Sequence, residues 1–202
     1  MFTIKQTHPG RVAVPLEKKS HYDTLVESGQ AHIPYCHVCK EYKSLRSKHC
    51  SQCQKCVAHL DHHCIWLHNC IGQGNRKLFI AVLLVGFIDC LIASVHFFLF
   101  FTSDEDAGIT VQLLTGLFIH PIIYLEFAFS VMFTLATLKL LKTQVDLVVS
   151  GLSSAEAMSV DKLKAAQKYV SKSQMTNLVS FFKTRVDWGS VFLPAELTQG
   201  NV

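Results

Sequence analysis

Residues Cys36 to Cys70 read CHVCKEYKSLRSKHCSQCQKCVAHLDHHCIWLHNC. Seven of the eight cysteines of the chain (Cys36, Cys39, Cys50, Cys53, Cys56, Cys64 and Cys70) fall in this stretch, and only Cys90 lies outside it. Cys36, Cys39, His49 and Cys56 make the spacing C-x2-C-x9-H-x6-C, and moving every member on by fourteen residues gives Cys50, Cys53, His63 and Cys70. A stretch so dense in thiols and imidazoles, and so short of apolar residues, should take its fold from metal and not from packing. The economical partition is two overlapping Cys3His sets, each a closed tetrahedral site for a structural zinc ion with no open position for water. Spacing alone leaves other partitions open; Cys39 could share a metal with Cys53. A disulfide framework is the competing use of so many cysteines. The interleaved histidines, and the lack of a signal-peptide pattern at Met1, favour metal binding in a reducing compartment.

The repeat uses six of the seven clustered cysteines, and Cys64 is the remainder. It follows Cys50 by fourteen residues, as Cys50 follows Cys36, but the series stops because position 67 is Leu. Its neighbours suit a nucleophile. His62 can take the thiol proton or stabilise the thiolate as imidazolium, and Asp61 can fix the imidazole tautomer and orientation. A lone cysteine near histidine is more often structural than catalytic. Here, however, a metal framework would hold Asp61 to Cys64 rigidly from both sides.

Beyond this block the chain turns apolar. The run 78–101 contains one acid, Asp89, and exceeds the roughly 20 residues needed to cross a bilayer. It is apolar on every face, which disfavours a pair of buried soluble helices. A polar loop over 102–108 follows, then a second apolar segment over 109–141, interrupted by Pro121, of which 122–141 could span alone. Composition agrees: half of the 202 residues are hydrophobic and 17% are charged, against about 25% charged in soluble domains. Mean hydropathy is +0.28. The net charge of +4 is too small to argue for nucleic acid, and no nucleic-acid partner is expected. Lys40, Lys43, Arg46, Lys48, Lys55, Arg76 and Lys77 precede the first run, Lys139 and Lys142 lie at the end of the second, and Asp104, Glu105 and Asp106 stand between. The positive-inside rule then places the lead-in 1–35, the module 36–77 and the tail 142–202 in the cytosol, and the loop on the lumenal or extracellular side. A short helix is expected over Tyr22–Glu27 and another over Ser153–Val170, where Lys162, Lys164, Lys168 and Lys172 could face anionic lipid or solvent. Asp89, His96, His120 and Glu126, in or near the apolar runs, are expected to hydrogen-bond between helices or to stay protonated.

With these residues in place, Cys36 to Phe79 resembles the DHHC protein S-acyltransferases (palmitoyltransferases). The shared features are the Cys-x2-Cys start, Arg46, His49-Cys50, Cys53, Cys56, the tetrad Asp61-His62-His63-Cys64, Trp66, Asn69-Cys70, Gly72, Asn75 and Phe79. The resemblance implies two structural zinc ions, Cys64 as nucleophile, and Asp61 and His62 as its activating pair. It also implies palmitoyl-CoA or another long-chain acyl-CoA as co-substrate, with its chain in the bilayer, and cysteine-containing proteins as acceptors. Home would be an endomembrane (Golgi or endoplasmic reticulum) or the plasma membrane. Lys43, Arg46 and Lys48 are candidates to meet the CoA phosphates. Ile65 stands where the family usually has Pro, Leu67 where a β-branched residue is common, and Ser44 in place of a common Pro. For the Thr-Thr-x-Glu element that often follows the second span, the nearest match is Thr143, Gln144, Val145 and Asp146. Asn177 with Phe181-Phe182 resembles a C-terminal Asn and aromatic element that packs on the catalytic module. Family members usually have at least four spans, and nothing before Cys36 is apolar enough to be one, so a fragment, a short isoform or a diverged member is expected.

The fold expected is a mainly α membrane protein: a small irregular two-zinc Cys-rich module, two transmembrane helices and a cytosolic C-terminal tail. Two other functions compete. A catalytically silent zinc scaffold would bind partners at the membrane, and a nucleic-acid-binding finger would show salt-dependent affinity and extraction without detergent.

Overall fold

The computed structural model describes residues 8–10, 16–29, 33–44, 46–102, 114, 116, 118, 121–167 and 170–183. The loop acids Asp104, Glu105 and Asp106, His120 and Lys168 lie outside the described residues. The chain forms two units, one from Met1–Phe79 with Asp146–Val202 and one from Ile80–Val145.

The first unit opens with helix α1 (Leu16–Glu27), which begins earlier than the expected Tyr22. Tertiary contact, not periodicity, holds it. Tyr22 is buried against the Tyr42 ring, and the Tyr42 hydroxyl donates to Asp23 Oδ1 at 2.7 Å. Three antiparallel hairpins follow: β1 (Tyr35–Cys36) with β2 (Glu41–Tyr42), β3 (Ser47–Cys50) with β4 (Lys55–Ala58), and β5 (His62–Cys64) with β6 (Asn69–Ile71). Their turns are copies of one another. Lys40, Gln54 and His68, spaced by fourteen residues, all adopt the left-handed conformation, with φ of 54°, 51° and 47°. Such angles are uncommon outside glycine. Their recurrence at the repeat spacing shows that the fourteen-residue period seen in the ligands is a backbone period as well. In the third copy Leu67 occupies the place of Cys39 and Cys53, and it is buried.

Helix α2 (Arg76–Thr102) leaves this unit after Phe79. Asn75 fixes its start: its amide Nδ2 donates to Cys70 O at 2.9 Å, while its Oδ1 accepts from Gly72 N at 2.9 Å. Helix α3 (Pro121–Val149) begins at Pro121. Pro121, expected to interrupt the second apolar run, is the first residue of this helix, which covers the 122–141 segment expected to span alone, and a missing N–H costs nothing there. At 27 and 29 residues, both helices exceed the roughly 30 Å of a bilayer core at about 1.5 Å per residue.

In the second unit the two helices run antiparallel. Ser94 Oγ meets Ser130 Oγ at 2.8 Å, Ser130 Oγ donates to Cys90 O at 2.9 Å, and the rings of Phe97 and Phe127 stand edge-on at 6.3 Å. Hydroxyls thus make the interhelical hydrogen bonds that the ionisable residues were expected to make. Asp89, His96 and Glu126 point outward instead. Hydroxyls satisfy one another at little desolvation cost, whereas an ionised carboxylate placed between two apolar helices would give up far more hydration.

Helix α3 ends in a Schellman turn. Gly151, at φ +70°, donates to Val148 O at 3.0 Å, and Leu152 N donates to Leu147 O at 2.9 Å. A side chain at 151 would also meet Val170 and Asn177 at about 3 Å, so glycine is required twice over. Past the turn lie α4 (Ser154–Ala157), α5 (Val160–Gln167) and α6 (Gln174–Lys183). The single helix expected over 153–170 is therefore broken at Met158–Ser159, where the Ser159 carbonyl accepts the Leu163 N–H at 2.8 Å and starts a new helix. The break frees α4 to turn Glu156 inward.

Candidate active site and metal centres

Strand register builds the two ligand sets. In the second hairpin His49 lies directly opposite Cys56, and in the third His63 lies directly opposite Cys70. Each facing pair meets the Cys-x2-Cys turn of the preceding hairpin. The resulting clusters are Cys36, Cys39, His49, Cys56 and Cys50, Cys53, His63, Cys70, with all ligand atoms of a set within 4.8 Å of one another. This is the economical partition; Cys39 and Cys53 belong to different sets. In the first, His49 Nδ1 lies 3.2 Å from Cys39 Sγ and 3.7 Å from Cys36 Sγ, and Cys56 Sγ lies 3.8 Å from Cys39 Sγ. In the second, His63 Nδ1 lies 3.3 Å from Cys53 Sγ and 3.7 Å from both Cys50 and Cys70. A tetrahedron with metal–sulfur bonds of about 2.3 Å and metal–nitrogen bonds of about 2.0 Å has edges near 3.5–3.8 Å. The donor sets fit zinc. Burial, followed by the neighbouring sulfurs, pushes the Cys56 and Cys70 thiols up, so three thiolates at this spacing require a cation among them. The clusters also work as staples: the first ties hairpin one to two, the second ties two to three. Apolar packing adds a small core of Val57 and Leu60 with Cys50 and Cys70, beside other buried side chains such as Leu67 and Ile71.

Cys64 stands outside both sets, and all eight cysteines are free of disulfides. Because side chains alternate along a strand, His63 in β5 turns to its metal set while His62 and Cys64 share the other face. His62 Nδ1 lies 2.8 Å from Asp61 Oδ2, and its ring stands edge-on to Phe79 at 5.2 Å. An ionised carboxylate only accepts, so Nδ1 donates in this pair, which leaves Nε2 as the acceptor of the neutral ring form. Asp61 is fully buried. Its oxygens also accept from Ser154 N at 2.8 Å and Ser154 Oγ at 3.0 Å, with the Arg76 guanidinium at 3.5 Å.

Ser154 was not among the residues singled out from sequence. It belongs to Ser153-Ser154-Ala155-Glu156, two hydroxyls, any residue and an acid, which stands ten residues after the Thr143–Asp146 match. The Thr143–Asp146 match lies inside α3, whereas this segment follows it. Glu156 accepts from Arg46 Nε at 2.7 Å, from Arg46 Nη2 at 2.6 Å and from Ser153 N at 2.9 Å. Burial alone would raise the Glu156 carboxyl, but the Arg46 hydrogen bonds and charge outweigh it and hold the group below its ordinary range. Arg46 also donates to Gly151 O at 2.9 Å, and Arg76 donates to Leu152 O at 2.8 Å. Tail residues 151–156 are therefore laid across the module by two arginines and one aspartate. The signal that could have found them was the hydroxyl-hydroxyl-x-Glu order with serine in place of threonine. Asn177 closes the arrangement, donating to Val149 O and to Ser171 O at 3.0 Å each.

The three bases expected at CoA phosphates separate. The Arg46 guanidinium is already matched by Glu156, and Lys48 is exposed on β3. A cavity of about 250 Å³ is lined by Arg46, His59, Arg76, Lys77, Asn177 and Phe181 among others, and by neither Lys43 nor Lys48. Burial, then the nearby Arg46 charge, lowers His59 to about 4, so it lines this cavity as a neutral ring at neutral pH.

The Arg46–Glu156 pair is nearly buried, its side chains 14% and 11% exposed. Removing one member of such a pair strands the other, at about 3–5 kcal/mol. Glu156→Ala should therefore lower the thermal unfolding midpoint of the detergent-solubilised chain, and the double replacement Arg46→Met/Glu156→Met should recover most of the loss. A double variant no more stable than Glu156→Ala would show that the pair does not act as a unit.

Two staple-like Cys/His clusters, one spare thiol beside a carboxylate-oriented imidazole and two helices long and apolar enough to cross a membrane define a metal-site module with a thiol-based site in a membrane-protein setting. The comparisons narrow this further. Residues 30–161 match the family model described as DHHC palmitoyltransferase, and the chain belongs to that family. It is 34% identical over 148 residues to Probable protein S-acyltransferase 13 of Arabidopsis thaliana, a match covering 65% of this chain and 49% of that protein. It is 27% identical over 216 residues to Palmitoyltransferase ZDHHC17 of Danio rerio, covering 93% of this chain and 34% of that protein. With Palmitoyltransferase ERF2 of Candida glabrata, identity rises to 47% over 60 residues, 30% of this chain and 18% of that protein. The chain thus spans half or less of the length of these relatives.

Proposed function

We propose that the chain is the catalytic core of a protein S-acyltransferase that carries a long acyl group, palmitoyl above all, on Cys64. One observation supports this most: the single clustered thiol outside both metal sets shares a strand face with an imidazole held by a buried carboxylate. The relatives' names supply the reaction class.

The steps follow from that geometry. His62 Nε2 takes the Cys64 proton, and the sulfur attacks the thioester carbonyl of an acyl-CoA. The carbon–sulfur bond to CoA breaks, and the departing thiolate recovers the proton from His62. In the second half a substrate protein's cysteine gives its proton to His62 and takes the acyl group, and Cys64 leaves as the thiolate that is then reprotonated. One thioester is exchanged for another, so positioning and proton transfer are what the site must supply. Cys64 is only 7% exposed, which keeps bulk water from a thioester formed there. Asp61 orients His62, and Ser154 and Arg76 hold Asp61. Zinc in both Cys3His sets would supply rigidity alone, since neither set leaves an open coordination position.

Purified chain incubated with labelled palmitoyl-CoA should acquire a label that hydroxylamine removes. A metal-loaded chain that takes up no label would sink the reading.

A further inference from the structure

The apolar faces of α2 and α3 are explained if lipid surrounds them, but one apolar face of the first unit has no such explanation. Helix α6 docks through Asn177, and Phe181 beside it lines the cavity. At about 100° per residue, Met175, Val179 and Phe182 fall on the opposite side of the helix. They form one stripe, exposed at 68%, 41% and 67%. Lys172 precedes the helix and Lys183 ends it, both exposed, and no acid occurs from Ser171 to Lys183. The helix is also pinned in place. Lys77 Nζ donates to Phe182 O at 2.8 Å and lies 5.7 Å from the Phe181 ring centroid. Lys77 is the second residue of α2, immediately before its apolar run begins at Leu78.

We propose that the Met175–Val179–Phe182 face of α6 seats in the phospholipid surface at the leaflet that α2 enters, an inference that rests on α2 and α3 being membrane spans. The chemistry is that of an interfacial helix: an apolar stripe one side chain deep, cations at both ends for anionic headgroups, and a tether to the mouth of a span. A protein groove would more often be met by mixed charge around the stripe, and here the charge has a single sign. The contact would stop the tail that carries Gly151 to Glu156 from swinging away from Asp61 and Arg46.

The test places a benzoylphenylalanine photoprobe, one site at a time, at Phe182, at Thr176 on another side of α6, and at Leu99 within α2. The full chain is reconstituted in nanodiscs of phosphatidylcholine and phosphatidylserine, with metal content checked for each variant. After illumination, intact-mass measurement should find phospholipid adducts at 99 and at 182, the latter at least about fivefold above position 176. Adducts at 99 with none at 182, or cross-links from 182 to a second protein chain, would overturn the proposal while leaving the spans in place. Absence of adducts at 99 would remove the spans and the proposal together.

Discussion

Cys64→Ser should leave the chain folded, with about two metal ions bound, and should abolish the hydroxylamine-sensitive acyl label, a loss on the order of a thousandfold or more. The expectation follows from where Cys64 sits. It occupies the β5 face away from the second metal set, and neither cluster includes it. Serine is close in size, so the pairing of position 64 with Asn69 and the Leu67 N–H bond to the carbonyl of residue 64 are kept, and the Asp61–His62 hydrogen bond does not involve position 64. What changes is the nucleophile. A hydroxyl is a far weaker acid than a thiol, so His62 gains little by removing its proton. Labelling and metal analysis on the same preparation separate the two roles. Metal lost together with label would make Cys64 a ligand and refute the assignment.

Cys50→Ala should do the opposite, releasing metal and unfolding the module. Cys50 belongs to the second metal set and is also buried in the small apolar core beside Val57, Leu60 and Cys70. Apparent binding energies of structural zinc in small modules run to about 10–16 kcal/mol, comparable with the whole stability of an ordinary domain at about 5–15 kcal/mol. A core of a few side chains cannot offset such a loss. Because the second set staples hairpin two to hairpin three, its failure releases the strand that carries His62 and Cys64. Metal stoichiometry should fall to about one per chain or below, and acylation should vanish with it. A Cys50→Ala chain that keeps two ions would show that the partition into sets is wrong.

The ligand sets were legible in the sequence because coordination chemistry fixes both the residue types and their number, and a repeated spacing singles out the members. The fourteen-residue period also marked Cys64 as the remainder. The apolar runs were legible for a similar reason, since length and composition alone decide whether a helix can cross a bilayer. Local pattern failed where distant residues choose the structure. Helix α1 is held where Tyr22 and Asp23 meet Tyr42, a contact its local pattern does not record. Helix α4 stops after one turn because Glu156 is drawn to Arg46, 110 residues away in sequence.

The sequence by itself determined which eight side chains can hold two metals, which thiol they leave over, and which segments suit a membrane. Each of these depends on local spacing or on composition, and both survive without coordinates. Only the tertiary structure decided that His62 and Cys64 share a strand face, that Ser154 and not Thr143 reaches Asp61, and that Arg46 is an anchor for the tail. Those facts depend on strand register and on contacts across some hundred residues. Chain closure over such a distance has a physical cost that only the completed set of hydrogen bonds and buried charges can offset, and no spacing rule records it.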